Sequence, residues 1–372
     1  MGFALYQEEN YTYDLNRNLT QKIDRNGSTI TMTYDGLGRL RTNSVVNSSN
    51  HALNASHTYT YTATGAKASM SGGGNSTTYT YDGLGRLIKE TVSDGSEKTY
   101  TYDAANNRKS LLTKINGVTR LNTTYTYDKL NRMHEVKENG ALAATYTYNT
   151  IGNRATLTYS NGNSTAYTYN LANALTSLTN KQGAEVLSQY IYTYALDGNQ
   201  VTKTDHTGKV ATYTYDNLGR LTSEAVSGEP TVSYTFDDYN NRASMSIAGV
   251  SATSYTYDKN NRLLTSARVT GDTSEITRYS YDPNGNQIAK VTEVIQPEEP
   301  GVTESFTVSV SGLDEESAGI SFYQYDGFNR LIGVTSGDMT AAYTYNGDGL
   351  RTSKMVNDIT VSHVWDGAQI AL

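Results

Sequence analysis

Cysteine is absent from the 372-residue sequence, and there are only four prolines, one tryptophan and five phenylalanines. Without cysteine there are no disulfides and no thiolate metal ligands, and the redox compartment stays open. Hydrophobic residues make up 37 % of the chain, below the roughly 45–50 % of ordinary globular proteins. A thick core sealed on both sides is therefore excluded. A sheet with one ring-covered face and one wet face suits the composition better. No apolar run is long enough for a transmembrane helix, and the first twenty residues lack the hydrophobic stretch of a signal peptide. The net charge of −7 gives no footprint for nucleic acid or an anionic membrane. Met1-Gly2 runs into a repeat within ten residues, and Leu372 follows a strand-like segment. We read the chain as a segment of a longer protein that carries any targeting signal elsewhere.

What is abundant is tyrosine and glycine, 32 of each. The tyrosines fall into a recurring pattern: aromatic, Thr, aromatic, Asp, two or three variable residues, Gly or Asn, and Arg. Clear copies are Tyr79-Thr80-Tyr81-Asp82-Gly83-Leu84-Gly85-Arg86-Leu87 and Tyr213-Thr214-Tyr215-Asp216-Asn217-Leu218-Gly219-Arg220-Leu221. Another carries Tyr125, Tyr127, Asp128 and Arg132. Fifteen copies run from Tyr13 to Tyr345, with 21 residues the commonest interval between them. Of the 32 tyrosines, 28 occupy the motif, with Met32 and Phe236 as the two substitutes.

Aromatic–Thr–aromatic alternation has the period of a strand, which places both rings on one face and the Thr on the other. The Asp accepts a backbone hydrogen bond two residues on, and Gly or Asn supplies the positive φ of a tight turn. Halfway to the next copy lies a second turn signal, at Asn26-Gly27, Asp94-Gly95, Asn116-Gly117, Asn139-Gly140 and Asn161-Gly162. Two turns per repeat predict an all-β chain: one antiparallel meander of about thirty strands, coiled because so wide a sheet does not stay flat. Leu40, Leu87, Leu221, Leu263 and Leu331 follow the motif Arg and interleave with the rings. Phe236 suggests that the ring, more than the hydroxyl, is what the layer requires.

We read residues 1–372 as a single repeat array. One interval, between Tyr281 and Tyr325, is 44 residues long and holds Pro297 and Pro300 among acidic residues. Phe306–Val310 alternates like a strand within it, so 293–321 reads as a degenerate repeat with a proline-bearing loop. An independent acidic insertion is the alternative.

At these residues the chain resembles the YD-repeat, or Rhs (rearrangement hot spot), family. The resemblance covers nearly the whole sequence and implies a spiralling β-sheet that forms a hollow shell. In toxin-bearing members that shell encloses a C-terminal toxin; in adhesion proteins of the teneurin type it serves cell-surface recognition. Those toxin-bearing members carry a self-cleaving core rich in Asp-Pro-x-Gly. Only Asp282-Pro283-Asn284-Gly285 resembles it, inside an ordinary repeat, so neither cleavage nor cargo is assigned here. The resemblance implies a secreted or cell-surface bacterial protein whose partner is the rest of its own longer chain.

No catalytic, cofactor or metal site stands out. His51, His57, His134, His206 and His363 do not pair at ligand spacing. Asp282, Asn284, Asn286 and Glu293 match four positions of an EF-hand loop, but Gln287 stands where Gly is required and no flanking helices fit. The motif arginines pair with the motif aspartates across the turn and neutralise a column of like charge. Sequons at Asn54 and Asn75 are explained by the abundance of Asn and Thr. The function expected is structural, with a carbohydrate-binding adhesion module as the alternative and no enzyme. Uncapped strand edges at Tyr6–Tyr13 and Val361–Leu372 predict end-to-end self-association.

Overall fold

The computed structural model describes residues 8–47, 50, 53–295 and 319–371. The proline-bearing stretch and Phe306–Val310 lie outside them. The described residues form 33 strands, 31 of them in one long antiparallel sheet. Strands adjacent in sequence pair, as at Asn75–Tyr81 with Leu87–Val92 and at Val118–Tyr127 with Met133–Glu138. This is the meander that the turn spacing predicts, and the sheet does not close into a barrel.

Each motif strand ends in the same irregularity. Thr126 faces Glu135, but Tyr127 faces Met133, so His134 is the extra residue of a β-bulge. The shift recurs at Thr33/Tyr34, Thr80/Tyr81, Thr214/Tyr215 and Thr344/Tyr345. It arises from a type I turn closed by a residue in the left-handed region, which displaces the register by one. The half-repeat turns vary more. Asn116-Gly117 and Asn139-Gly140 have positive φ at both residues, the two-residue form. At Asn26-Gly27 the turn is instead a copy of the motif turn, starting from Asp24.

The burial is shallow, as the composition demands. Across the strand pair Tyr81 faces Leu87 and Tyr215 faces Leu221, all half-buried. Among the motif rings only Tyr59 and Tyr100 are below a tenth exposed; the deepest apolar positions are Val45, Met70 and Leu111. On the other face the motif threonines stay exposed and pair sideways. Thr147 meets Thr156 and Thr60 meets Ser69, each at 2.6 Å. Hydroxyl pairs of this kind satisfy the wet face without charge.

The chain groups into two compact units, Met1–Glu97 with Thr256–Ala267 and Thr273–Leu372, and Lys98–Tyr255 with Arg268–Asp272. Within the first, late repeats return onto early ones. The amide of Asn284 donates to Asp24 at 2.8 Å, the ring of Phe328 lies 4.8 Å from that of His57, and Lys67 pairs with Asp348 at 2.5 Å. The Tyr59 hydroxyl donates to the Gly347 carbonyl at 2.8 Å. These contacts join residues 260 to 288 apart in sequence. Backbone approaches backbone closely here: a Cβ at Gly73 would sit 2.1 Å from the Tyr345 carbonyl oxygen.

Candidate functional site

The unit repeated along the sheet is the turn that closes each motif strand, opened by Asp in ten copies and by Thr62, Asn149, Asn170, Ala195 and Asn346 in the others. In the copy at Asp128, one carboxylate oxygen accepts from the backbone N–H of Leu130 at 2.8 Å and of Arg132 at 3.0 Å. The other accepts from Arg132 Nε at 2.7 Å and Nη2 at 2.6 Å. The Asp128 N–H donates to the Arg132 carbonyl at 2.8 Å and closes the loop. Asp82 with Arg86 and Asp216 with Arg220 repeat the arrangement, with Gly85 and Gly219 at positive φ where Asn131 stands in the Asp128 copy. These donors stabilise the charged form. The Arg132 side chain foremost holds Asp128 below the ordinary carboxylate range, and the Arg86 backbone N–H does so for Asp82.

Successive repeats interlock through the same residues. The Arg132 guanidinium lies 4.4 Å from the ring centre of Tyr148 in the next repeat, and the Tyr148 hydroxyl donates to the Met133 carbonyl at 2.8 Å. Tyr81 donates to Lys67, Tyr127 to Arg108 and Tyr345 to Leu331 in the same way. Phe236 keeps the ring contact, 4.5 Å from Arg220, without a hydroxyl to donate. The hydroxyl therefore has a regular partner that the ring-only expectation did not include. Burial foremost pushes the Tyr127 and Tyr345 phenols up, so they remain protonated donors.

The arginines divide into two sets, and for Arg154 and Arg351 the expected pairing with a turn carboxylate does not hold, because Asn149 and Asn346 open their turns. Arg39, Arg86, Arg132, Arg220, Arg262 and Arg330 follow the Asp by four residues and pair with it. Arg108, Arg154, Arg242 and Arg351 come one residue later, in the position leucine holds elsewhere, and lie over motif rings. Arg154 is 5.1 Å from Tyr146 and Arg351 is 5.4 Å from Tyr343. A one-residue shift along a strand reverses the face, which a count of Arg residues does not register.

Asparagine in the left-handed position is also more than a substitute for glycine. The side chain of Asn131 accepts from Asn107 at 3.0 Å, that of Asn173 from Asn153 at 2.8 Å, and that of Asn240 from Arg220 at 2.8 Å. Each bond ties one turn to the preceding one. A further copy went unread in the sequence. Trp365 Nε1 donates to the Arg351 carbonyl at 2.7 Å, the role of a second motif tyrosine. The signal was present in His363-Val364-Trp365-Asp366-Gly367, twenty residues after Tyr345, with Trp and His in place of the tyrosines.

Asp282, Asn284 and Asn286 form an ordinary Asp turn, and Glu293 lies on the strand Gln287–Ile295. A cleft of about 450 Å³ opens beside them, lined in part by Asp24, Asn26, Asp326 and Asn329. Its amides and carboxylates are bonded to one another, as Asn26 is to Asp282 at 2.8 Å and Asn284 to Asn329 at 2.9 Å. Among the described residues no group of three or more His, Cys, Asp or Glu is placed to hold a metal. His57 is 2 % exposed, packed on Phe328. His51 lies outside the described residues.

A lattice that ties each repeat to the next defines a repetitive β-scaffold. The Teneurin YD-shell family model matches residues 102–247, and the RHS Repeat model matches 11–50 and 61–97. The chain belongs to the YD/Rhs repeat family. In fold it is similar to a chain of the Photorhabdus luminescens Tc holotoxin pore, with a TM-score of 0.65 at 14 % identity. It is likewise similar to a chain in the crystal structure of TcdB2-TccC3-Cdc42, with a TM-score of 0.64 at 14 % identity. Each match covers 95 % of this chain and 22 % of the other, so the chain spans about a fifth of those proteins' length. No match was found among curated protein sequences. The role these findings support is that of a structural shell scaffold. No helix among the described residues is long and apolar enough to cross a membrane.

Proposed function

We propose that the array is a wall segment of a larger secreted bacterial protein, in which it encloses a polypeptide such as a C-terminal toxin or effector. The observation that carries this reading is the interlocked lattice. Guanidinium, hydroxyl and carboxylate of each copy, as at Arg132, Tyr148 and Asp128, are directed at a neighbouring repeat or their own turn. That arrangement builds a wall. The likeness to Tc toxin chains supports the same reading at the level of fold. The residues carrying it are Tyr79, Tyr81, Asp82, Gly85 and Arg86 and their counterparts at Tyr125–Arg132 and Tyr213–Arg220. We take 1–372 as one array, with 293–321 as a degenerate repeat.

Protease protection tests the proposal. In the longer protein, sequence following the array should resist digestion while the array is intact. It should become cleavable when Phe328→Asp opens the contact with His57. A following segment digested equally fast in both proteins contradicts enclosure. Binding of the purified array to defined glycans would move the reading to a cell-surface adhesion module.

A further inference from the structure

The return of late repeats onto early ones is centred on a histidine. His57 lies on the strand Ala55–Tyr61, two residues before Tyr59, where other repeats hold the small buried residues Thr77, Ala144, Thr253 and Ala341. Glycines make room for the larger ring. A Cβ at Gly72, on the neighbouring strand Lys67–Gly72, would fall 1.9 Å from His57 Cδ2, and one at Gly347 would fall 3.4 Å from it. Phe328 covers the imidazole from the late repeats, and the Tyr59 hydroxyl closes the contact on the Gly347 carbonyl.

This pocket accepts the ring but offers nothing to a charge. His57 Nε2 is buried with no hydrogen-bond partner among the described residues. Across the strand pair Asn43 presents a neutral amide, whose Oδ1 is likewise buried without a partner. Burial pushes the Tyr59 phenol up, so it carries no charge. From the late turns come Asp326, Arg330 and Asp348. Asp326 is held by Arg330 at 2.6 Å, and Asp348 by Lys67 at 2.5 Å. Both carboxylates that could offset an imidazolium are thus already paired with cations. Burying a charge without its own partner costs far more than burying a neutral ring. Desolvation foremost, and then the Arg330 charge, hold His57 below the ordinary imidazole value of 6.5.

We propose that His57 is a pH-sensitive latch: protonation of its imidazole releases Phe328 and Gly347 and opens the contact between early and late repeats, while the strand ladders on either side stay paired. An imidazole depressed in the closed form and ordinary in the open one supports closure in full above about pH 6.5, and loses that support as pH falls below it. The latch acts on the contact itself and does not depend on what the array encloses.

Hydroxyl-radical footprinting of the purified chain at pH 7.5 and pH 5.5 tests this, with Met70 as the probe. Met70 is 2 % exposed and lies under Gly347, where a Cβ would meet its Cγ at 2.9 Å. Its oxidation should rise at least tenfold at pH 5.5, while Met245, in the other unit, and the β circular dichroism stay unchanged. His57→Phe keeps an apolar ring that takes no proton, and should leave Met70 protected at both pH values. If that variant does not fold, proton NMR of the His57 ring in the unaltered chain decides. A ring titration that coincides with Met70 exposure supports the latch, and a titration with Met70 still protected overturns it. So does Met70 oxidation equal at the two pH values, or an acid response retained in folded His57→Phe.

Discussion

The guanidinium of Arg132 holds Asp128 of its own turn and covers the ring of Tyr148 in the next, 4.4 Å from the ring centre. One side chain thereby fixes a turn and joins two repeats. A surface ion pair alone contributes about 0–1 kcal/mol, and an exposed cation–π contact about 0.5–1 kcal/mol. The planar guanidinium does both at once, which a lysine cannot. Arg132→Lys should lower the thermal midpoint nearly as far as Arg132→Ala. A double-mutant cycle with Tyr148→Leu should give a coupling of about 0.5–1 kcal/mol. Additive effects would mean that the stacking is incidental.

The tyrosine hydroxyl has a separate and smaller role. Tyr127 donates to the Arg108 carbonyl at 2.8 Å, and such a bond contributes about 0.5–1.5 kcal/mol. Tyr127→Phe should cost about that amount, while Tyr127→Ala costs about 3–5 kcal/mol, as large aromatic truncations do. Phe236 offers the converse. Phe236→Tyr places a hydroxyl where the neighbouring repeats have one, and should raise the thermal midpoint. Equal losses in the two Tyr127 variants would assign the stabilisation to the hydroxyl network rather than to packing.

Stability should fall in acid, from the turns. Asp35, Asp82, Asp128 and Asp216 are all held below the ordinary carboxylate value of 3.8, by Arg side chains and backbone N–H donors. A carboxylate depressed in the folded state stabilises it above the unfolded value and loses that contribution as pH falls through the folded one. Urea unfolding should therefore show a plateau above about pH 5 and a decline below about pH 4. In Asp128→Asn the decline should be shallower. A chain equally stable at pH 3 and pH 7 would show that the turn carboxylates are not linked to folding.

The repeat was legible in the sequence because its two signals are local. Strand alternation and turn residues at fixed spacing give the meander, the wet threonine face and the Asp–Arg ion pair without any long-range knowledge. What escaped was geometry measured in single residues or between distant ones. Arg108 and Arg132 look alike in the sequence, yet one residue of offset puts the first over a ring of its own strand pair. Trp365 replaces a tyrosine because only a donor-bearing ring at that height is required. The contact of Phe328 with His57 joins positions 271 residues apart, and nothing local in either segment encodes it.

Deletion of a whole repeat tests the central claim most directly, because interlocking through nearest neighbours predicts that the repeat is the structural unit. Removing Asp237–Tyr257 joins Phe236 to Asp258 and regenerates an aromatic–Asp turn at the junction. Circular dichroism of that variant should show an intact β protein with cooperative unfolding. Removing only the eleven residues from Asp237 to Ile247 takes out one turn and one strand, so that every later Asp turn falls on the opposite rim, and that variant should lose both. Equal behaviour of the two deletions would contradict the account.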